Sequence, residues 1–146
     1  MNYAIVFRLL GYILMIEGVL LLLPAATSLI YAEWAVMGVF LLTAAISAAL
    51  GLGLRTIKPR SKVFYMREGF AATALSWIAI SIVGAVPFVL TGCIPNPVDA
   101  MFETVSGFTT TGASILPAVE GLPNGILFWR SFTPVSYTHL TLPTIR

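Results

Sequence analysis

The chain has 146 residues, of which 58% are hydrophobic and only 10% charged, and its formal net charge is +2. A soluble domain carries roughly 25% charged residues, so the composition excludes a soluble enzyme, and a single cysteine excludes an internal disulfide framework. The small net charge does not indicate nucleic-acid binding, and we expect lipid to be the solvent for most of the chain.

Two apolar segments open the chain. Residues 4–31 are interrupted only by Arg8 and Glu17 and continue too far for a signal peptide. Residues 34–54 carry no charge and are long enough to cross a hydrocarbon core of roughly 30 Å as a helix. Each segment predicts a transmembrane helix. An acid inside a span is a candidate functional group, but we expect Glu17 to be protonated or hydrogen-bonded to a neighbouring helix.

A basic loop follows at residues 55–68. It holds five of the eight basic residues of the chain, namely Arg55, Lys58, Arg60, Lys62 and Arg67. Between apolar segments, such a cluster indicates a cytoplasmic loop under the positive-inside rule rather than a nucleic-acid site. The N-terminus then also lies on the cytoplasmic side.

A third apolar segment, residues 69–98, has no charged residue, and Pro95 and Pro97 predict that its helix ends near Gly92. This helix would run outward and bring residues 93–121 to the external side. That external segment carries three acids and no lysine or arginine. Three spans with a cytoplasmic N-terminus therefore account for the charge pattern.

Residues 94–114 read IPNPVDAMFETVSGFTTTGAS. Asn96 suits a helix N-cap, Pro97 the first helical position and Asp99 the first turn. A helix over 97–108 would be roughly 18 Å long, about half a bilayer. Because it begins outside and cannot reach the other side, we predict a re-entrant pore helix.

The pore helix is followed by Thr-Thr-Thr-Gly-Ala-Ser at 109–114. Threonine favours extended backbone, and glycine takes positive φ freely. Non-helical backbone at membrane depth must be buried in protein or line a watery cavity. There its carbonyl oxygens can replace the hydration shell of a cation, and the negative end of the helix dipole favours that cation. The pattern predicts a cation pore loop, with an ordinary connecting loop as the alternative.

Four stretches resemble the Trk/Ktr potassium-uptake family, in particular its membrane-embedded Trk subunit: 67–70 (REGF), 84–88 (GAVPF), 99–113 (DAMFETVSGFTTTGA) and 122–130 (LPNGILFWR). The resemblance covers roughly residues 1–133. It implies an all-α membrane protein with a K+ channel-like core, in which two peripheral helices precede four membrane–pore-loop–membrane repeats. Residues 1–54 would be the two peripheral helices, 55–68 the basic cytoplasmic loop, and 69–133 the first repeat with the start of its second helix.

The same resemblance implies potassium uptake across the inner (cytoplasmic) membrane through a carbonyl-lined selectivity filter, with K+ as the transported ion and no covalently bound cofactor. It also implies a homodimer and a cytoplasmic nucleotide-binding regulatory subunit. The K+ ion would be held at Thr110 and Thr111. The filter carbonyls carried over from the family are those of Thr110, Thr111, Gly112 and Ala113. The sequence shows no nucleophile–base arrangement, metal cluster or nucleotide loop, so we expect a transporter rather than an enzyme.

Two charged residues near the predicted filter leave alternatives open. With Asp99, Glu103 belongs to the pore helix. Glu103 would either raise the local cation concentration at the external entrance or hold the pore helix through hydrogen bonds to neighbouring backbone. Arg130 would either pair with an acid or extend its charge to the membrane interface.

The last residues, 134–146, contain two prolines, lack an amphipathic period and resemble the translation of a transposase-type sequencing adapter. We therefore expect a non-native tail and assign no role to His139 or Arg146. On this interpretation the chain is the truncated N-terminal part of a Trk-type subunit. The alternatives are a subunit of an oligomeric cation channel, to which each identical chain donates one pore loop, and a non-conducting membrane fragment.

Overall fold

The computed structural model describes residues 3–57, 66–118 and 120–141, with residues 134–141 as backbone only. These residues form six helices: α1 (Tyr3–Leu20), α2 (Leu22–Ile30), α3 (Trp34–Arg55), α4 (Met66–Leu90), α5 (Pro97–Phe108) and α6 (Asn124–Thr141). No strand occurs in this part of the chain, which confirms the all-α fold class.

Three segments are long and apolar enough to cross a membrane, and they are the three predicted spans: Tyr3–Ile30, Trp34–Arg55 and Met66–Leu90. The first is interrupted by a turn at Leu21. Pro24, one turn further on, has no N–H to continue the helical hydrogen bonds. Pro87 lies inside α4 without dividing it.

The predicted basic loop and the predicted non-native tail fall partly outside the described residues. The residues concerned are Lys58, Arg60 and Lys62 of the loop and residues 142–146 of the tail. The backbone of α6 continues from Thr133 to Thr141, although the sequence of that stretch shows no helical period. The non-native origin of residues 134–146 stays a prediction.

Helices α1 and α3 cross at two glycines. A Cβ added to Gly11 would lie 2.7 Å from the Gly51 carbonyl oxygen, and a Cβ on Gly51 would lie 2.7 Å from the Gly11 carbonyl oxygen. One turn further along α1, the Ser47 hydroxyl donates to the Leu14 carbonyl at 2.7 Å. Small residues let helix backbones approach closely, and this packing drives helix association in lipid. The two helices therefore form an antiparallel hairpin against which α4 packs.

The core lies where this hairpin meets the last three helices, and Trp129 of α6 is at its centre with 1% exposure. The Trp129 indole N–H donates to the Gly84 carbonyl of α4 at 3.1 Å. Its ring makes edge contacts with Phe40 of α3 and Phe108 of α5. One side chain thereby joins four helices.

The start of α6 is held by the α2–α3 connection. The Glu33 carboxylate accepts hydrogen bonds from the Asn124 backbone N–H at 2.8 Å and from the Gly125 backbone N–H at 3.2 Å. A helix N-terminus has backbone donors without partners and favours a negative charge. Glu33 supplies both an acceptor and that charge, although it is far from α6 in sequence.

Glu17 is 4% exposed in α1, and neither carboxylate oxygen has a hydrogen-bond partner among the described residues. The expected bond to a neighbouring helix is therefore absent from this part of the chain. Because burying an unpaired carboxylate is very costly, the protonated form is the expectation that remains.

Candidate functional site: the segment after the pore helix

Helix α5, the predicted pore helix, has the bounds that local sequence rules gave. The Asn96 side chain accepts a hydrogen bond from the Val98 N–H at 3.1 Å, and Pro97 occupies the first helical position. Asp99 lies in the first turn, at the opposite end of α5 from the predicted filter. The buried face of the helix includes Glu103.

The backbone after α5 forms a tight turn instead of extending at once. The Thr110 N–H donates to the Gly107 carbonyl at 3.1 Å, and the Thr111 N–H donates to the Ser106 carbonyl at 3.0 Å. This pair of bonds is the Schellman pattern of helix C-termini, in which the residue with left-handed backbone is usually glycine. Here it is Thr110, with φ of +56°.

The prediction of extended backbone from Thr109 is therefore wrong for its first two residues. The last carbonyls of α5 need donors, and the turn supplies them. The irregular backbone begins at Thr111, whose N–H still donates to the turn. A positive φ at a β-branched residue is a steric outlier of the kind that gathers at functional sites.

The four predicted filter residues form one exposed stretch after this turn. Gly112 has φ of +74°, the conformational freedom that was predicted for it. The Ser106 hydroxyl donates to the Ala113 carbonyl at 2.6 Å, so that carbonyl is bound to the pore helix. Among the described residues, no side chain donates a hydrogen bond to the backbone carbonyls of Thr110, Thr111 and Gly112.

Glu103 binds the chain just beyond the predicted filter residues. It is 5% exposed, and its carboxylate accepts from the Ser114 hydroxyl at 3.1 Å and from the Ile115 backbone N–H at 3.0 Å. A buried carboxylate with several donors is a fixed structural anchor. The geometry therefore favours the holding role over the role of a free charge at the entrance. What Glu103 holds, however, is the segment after the predicted filter, at Ser114 and Ile115, rather than its own helix.

Arg130 completes this cluster from α6. Its Nε lies 2.6 Å from Glu103 Oε1, and the two side chains are 27% and 4% exposed. The expectation that Arg130 pairs with an acid is thus confirmed. Removing one partner of a buried ion pair is strongly destabilising, because the other charge is left unpaired.

A cavity of about 200 Å³ lies between α5, α6 and the predicted filter residues. Its lining includes Glu103, Arg130, Gly112 and Ala113, together with the apolar side chain of Phe88. The backbone of the predicted filter thus borders a cavity lined by both polar and apolar groups.

Sequence reasoning missed two residues of this arrangement. In the sequence Ser114 only ends the threonine–glycine run, yet its hydroxyl contacts both Glu103 oxygens. Glu33 belongs by sequence to a short connection between two spans, and nothing near it in sequence indicates a partner. Ser114 could have been found, because a hydroxyl directly after a predicted filter is a natural anchor for it.

Known proteins are similar to this chain in sequence and, in one solved structure, in fold. The model of the TrkH family, described as cation transport protein, matches residues 34–145. An uncharacterized cation transporter, MJ1485, of Methanocaldococcus jannaschii is 37% identical over 128 residues, which cover 87% of this chain and 26% of that protein. The Trk system potassium uptake protein TrkH of Halomonas elongata is 34% identical over 136 residues, covering 89% of this chain and 27% of that protein.

The crystal structure of the potassium transporter TrkH from Vibrio parahaemolyticus superimposes with a TM-score of 0.82 at 30% identity. The match covers 91% of this chain and 29% of that one. The chain thus spans only about a quarter of the length of the relatives that it matches.

Proposed function

Because the chain belongs to the TrkH family of cation transport proteins, we propose that it forms the first pore repeat of a potassium-uptake transporter in the cytoplasmic membrane. Three apolar helices support a multi-pass membrane protein. The relatives named as potassium uptake proteins support K+ as the transported ion. The basic loop supports a cytoplasmic N-terminus and an external pore helix.

The observation that carries this proposal is the anchored backbone of residues 110–115. Glu103 holds the far end of this segment through Ser114 and Ile115, and the Schellman turn holds its near end. Carbonyl oxygens fixed in this way replace the water around a bare cation with little reorganisation. The C-terminus of α5 adds partial negative charge at the same place.

Within this proposal, K+ enters from the external side and exchanges hydration water for the carbonyls of Thr110, Thr111 and Gly112. An inside-negative membrane potential then drives it inward, with about 2.3 kcal/mol for each charge and each 100 mV. The protein supplies oxygens at fixed positions, and no covalent step is needed.

One repeat contributes one wall of such a pore, so other polypeptide segments have to supply the remaining walls. The outer face of α5 supports this requirement, since Val98 is 73% exposed and Phe102 47% exposed. Both are apolar and would pack against further helices. A homodimer and a cytoplasmic nucleotide-binding regulatory subunit belong to the same proposal by family resemblance.

The test is a chimera in which residues 1–133 replace the matching segment of the Halomonas elongata relative. We expect the chimera to restore growth on limiting potassium in a host that lacks potassium uptake. Gly112→Asp should abolish uptake while membrane insertion stays intact. Normal uptake by that variant would overturn the filter assignment.

Gly92→Asp is the matched control. Gly92 has φ of +75°, close to the +74° of Gly112, and a Cβ at either position meets nothing within 4 Å. The same strain and charge are thus introduced outside the filter. We expect this variant to retain most of the uptake, so that loss at Gly112 reports on the pore rather than on folding.

A further inference from the structure

The end of the bundle that carries the basic loop contains two arginines without acidic partners among the described residues. Arg55 Cζ lies 5.3 Å from the centroid of the Tyr12 ring. Arg8 lies one helical turn before Tyr12 on the same face of α1. The Nε of Arg8 is buried and has no hydrogen-bond partner in the part of the chain that the structure describes. A buried donor without an acceptor is costly and indicates a missing acceptor.

The helix crossing brings these two arginines together. A Cβ on Gly11 would lie 3.0 Å from the backbone N of Arg55, so the end of α3 is packed against the first turns of α1. Arg67 is exposed at the start of α4. Glu68, the next residue in sequence, is buried and already engaged. Among the described residues, three arginines therefore lie where α1 and α4 begin and α3 ends.

An apolar groove begins beside this charge. It encloses about 480 Å³ between α1 and α4, and its lining includes Leu9, Ile13, Phe70 and Thr73. Phe70 is 75% exposed. Leu9 and Ile13 directly follow Arg8 and Tyr12 in sequence, so the groove side chains of α1 lie on the stripe next to the one that carries Arg8.

We propose that this groove is a binding site for one anionic glycerophospholipid, with an acyl chain along α1 and α4 and the headgroup phosphate between Arg8 and Arg55. The phosphate supplies the acceptor that Arg8 Nε lacks, because guanidinium groups bind phosphate in a fork geometry. Basic clusters beside a transmembrane helix attract anionic lipid. The proposal needs membrane insertion but not transport, so it goes beyond the proposed function and stands apart from it.

The test measures lipid binding to the purified chain in a neutral detergent by native mass spectrometry. Dioleoyl phosphatidylglycerol is compared with dioleoyl phosphatidylcholine, which has the same acyl chains and no net charge. We expect the anionic lipid to bind about thirtyfold more tightly, as two arginines near a headgroup imply. Equal binding of the two lipids would overturn the proposal.

Two sets of variants test the headgroup site and the acyl-chain groove separately. The double variant Arg8→Gln/Arg55→Gln should lose the preference for the anionic lipid, whereas Arg8→Lys/Arg55→Lys should keep most of it. Thr73→Trp fills the groove and should weaken both lipids, whereas Leu42→Trp, on the exposed face of α3, should weaken neither. A preference that survives the double glutamine variant would contradict the assigned headgroup site.

Two further measurements distinguish lipid binding from a loss of folding and from binding of a soluble anion. Circular dichroism checks that each variant keeps its helices, and Arg55→Gln alone replaces the double variant if the double variant unfolds. Inorganic phosphate is added as a competitor. If millimolar phosphate displaces the lipid completely, the arginines form a site for a soluble anion and the lipid proposal is wrong.

Discussion

Arg130 Nε lies 2.6 Å from Glu103 Oε1, and this contact joins α6 to α5 beside the proposed filter residues. The same carboxylate binds Ser114 and Ile115. The carboxylate that binds the backbone after the proposed filter is thus paired with a charge from another helix.

Replacing Glu103 by glutamine should leave the Arg130 guanidinium without its charge partner. Since Arg130 is 27% exposed, we expect a loss near the lower end of the ~3–5 kcal/mol typical of a broken buried pair. Thermal unfolding in detergent measures this loss. The double variant Glu103→Gln/Arg130→Gln should recover part of it, because no charge then remains unpaired. Glu120→Gln, an exposed acid, is the control and should have no measurable effect.

Thr110→Gly should stabilise the chain by about 0.5–1 kcal/mol, because glycine adopts the observed φ of +56° without steric cost. The backbone carbonyl is unchanged, so the chimera should still take up potassium. Thr110→Val keeps the β-branch and should give no gain in the same unfolding measurement. A destabilised Thr110→Gly variant would show that the threonine side chain contributes more than its backbone strain costs.

Glu33→Gln should loosen the first turn of α6, with a cost of about 0.5–2 kcal/mol, as for the loss of an N-cap. The direct measurement is hydrogen exchange at the Asn124 and Gly125 amides, which donate to Glu33. Their exchange should accelerate, whereas amides at the middle of α3 should not change. Uniform acceleration along the whole chain would indicate global destabilisation instead of a lost cap.

Gly51→Ala should force α1 and α3 apart, because the new Cβ would lie 2.7 Å from the Gly11 carbonyl oxygen. We expect a destabilisation of about 1–3 kcal/mol, typical of overpacking. Gly38→Ala in the same helix is the matched control, since nothing lies within 4 Å of its added Cβ. That variant should be neutral or slightly stabilising, because alanine is a better helix former than glycine. Similar stability of the two variants would contradict the close crossing.

Local rules were sufficient for the three spans and for α5, although they gave neither the turn at Leu21 nor the continuation of α6 to Thr141. The three spans follow from uninterrupted apolar runs, because a membrane leaves a backbone few structures other than a helix. The bounds of α5 follow from Asn96 and Pro97, because capping involves residues next to each other in sequence. The positive φ of Gly112 was predictable for the same reason, whereas that of Thr110 was not, since residue type alone argues against it.

The sequence by itself determined the fold class, the half-length helix and the position of the threonine–glycine run after it. Only the tertiary structure decided that Glu103 turns inward to Arg130 and Ser114, and that Glu33 caps a helix 91 residues away. The sequence does not reveal the partner of a charged side chain, because any opposite charge attracts it. The partner is the group that helix packing brings within a few ångströms. In this protein that packing depends on close contacts such as the one between Trp129 and Gly84.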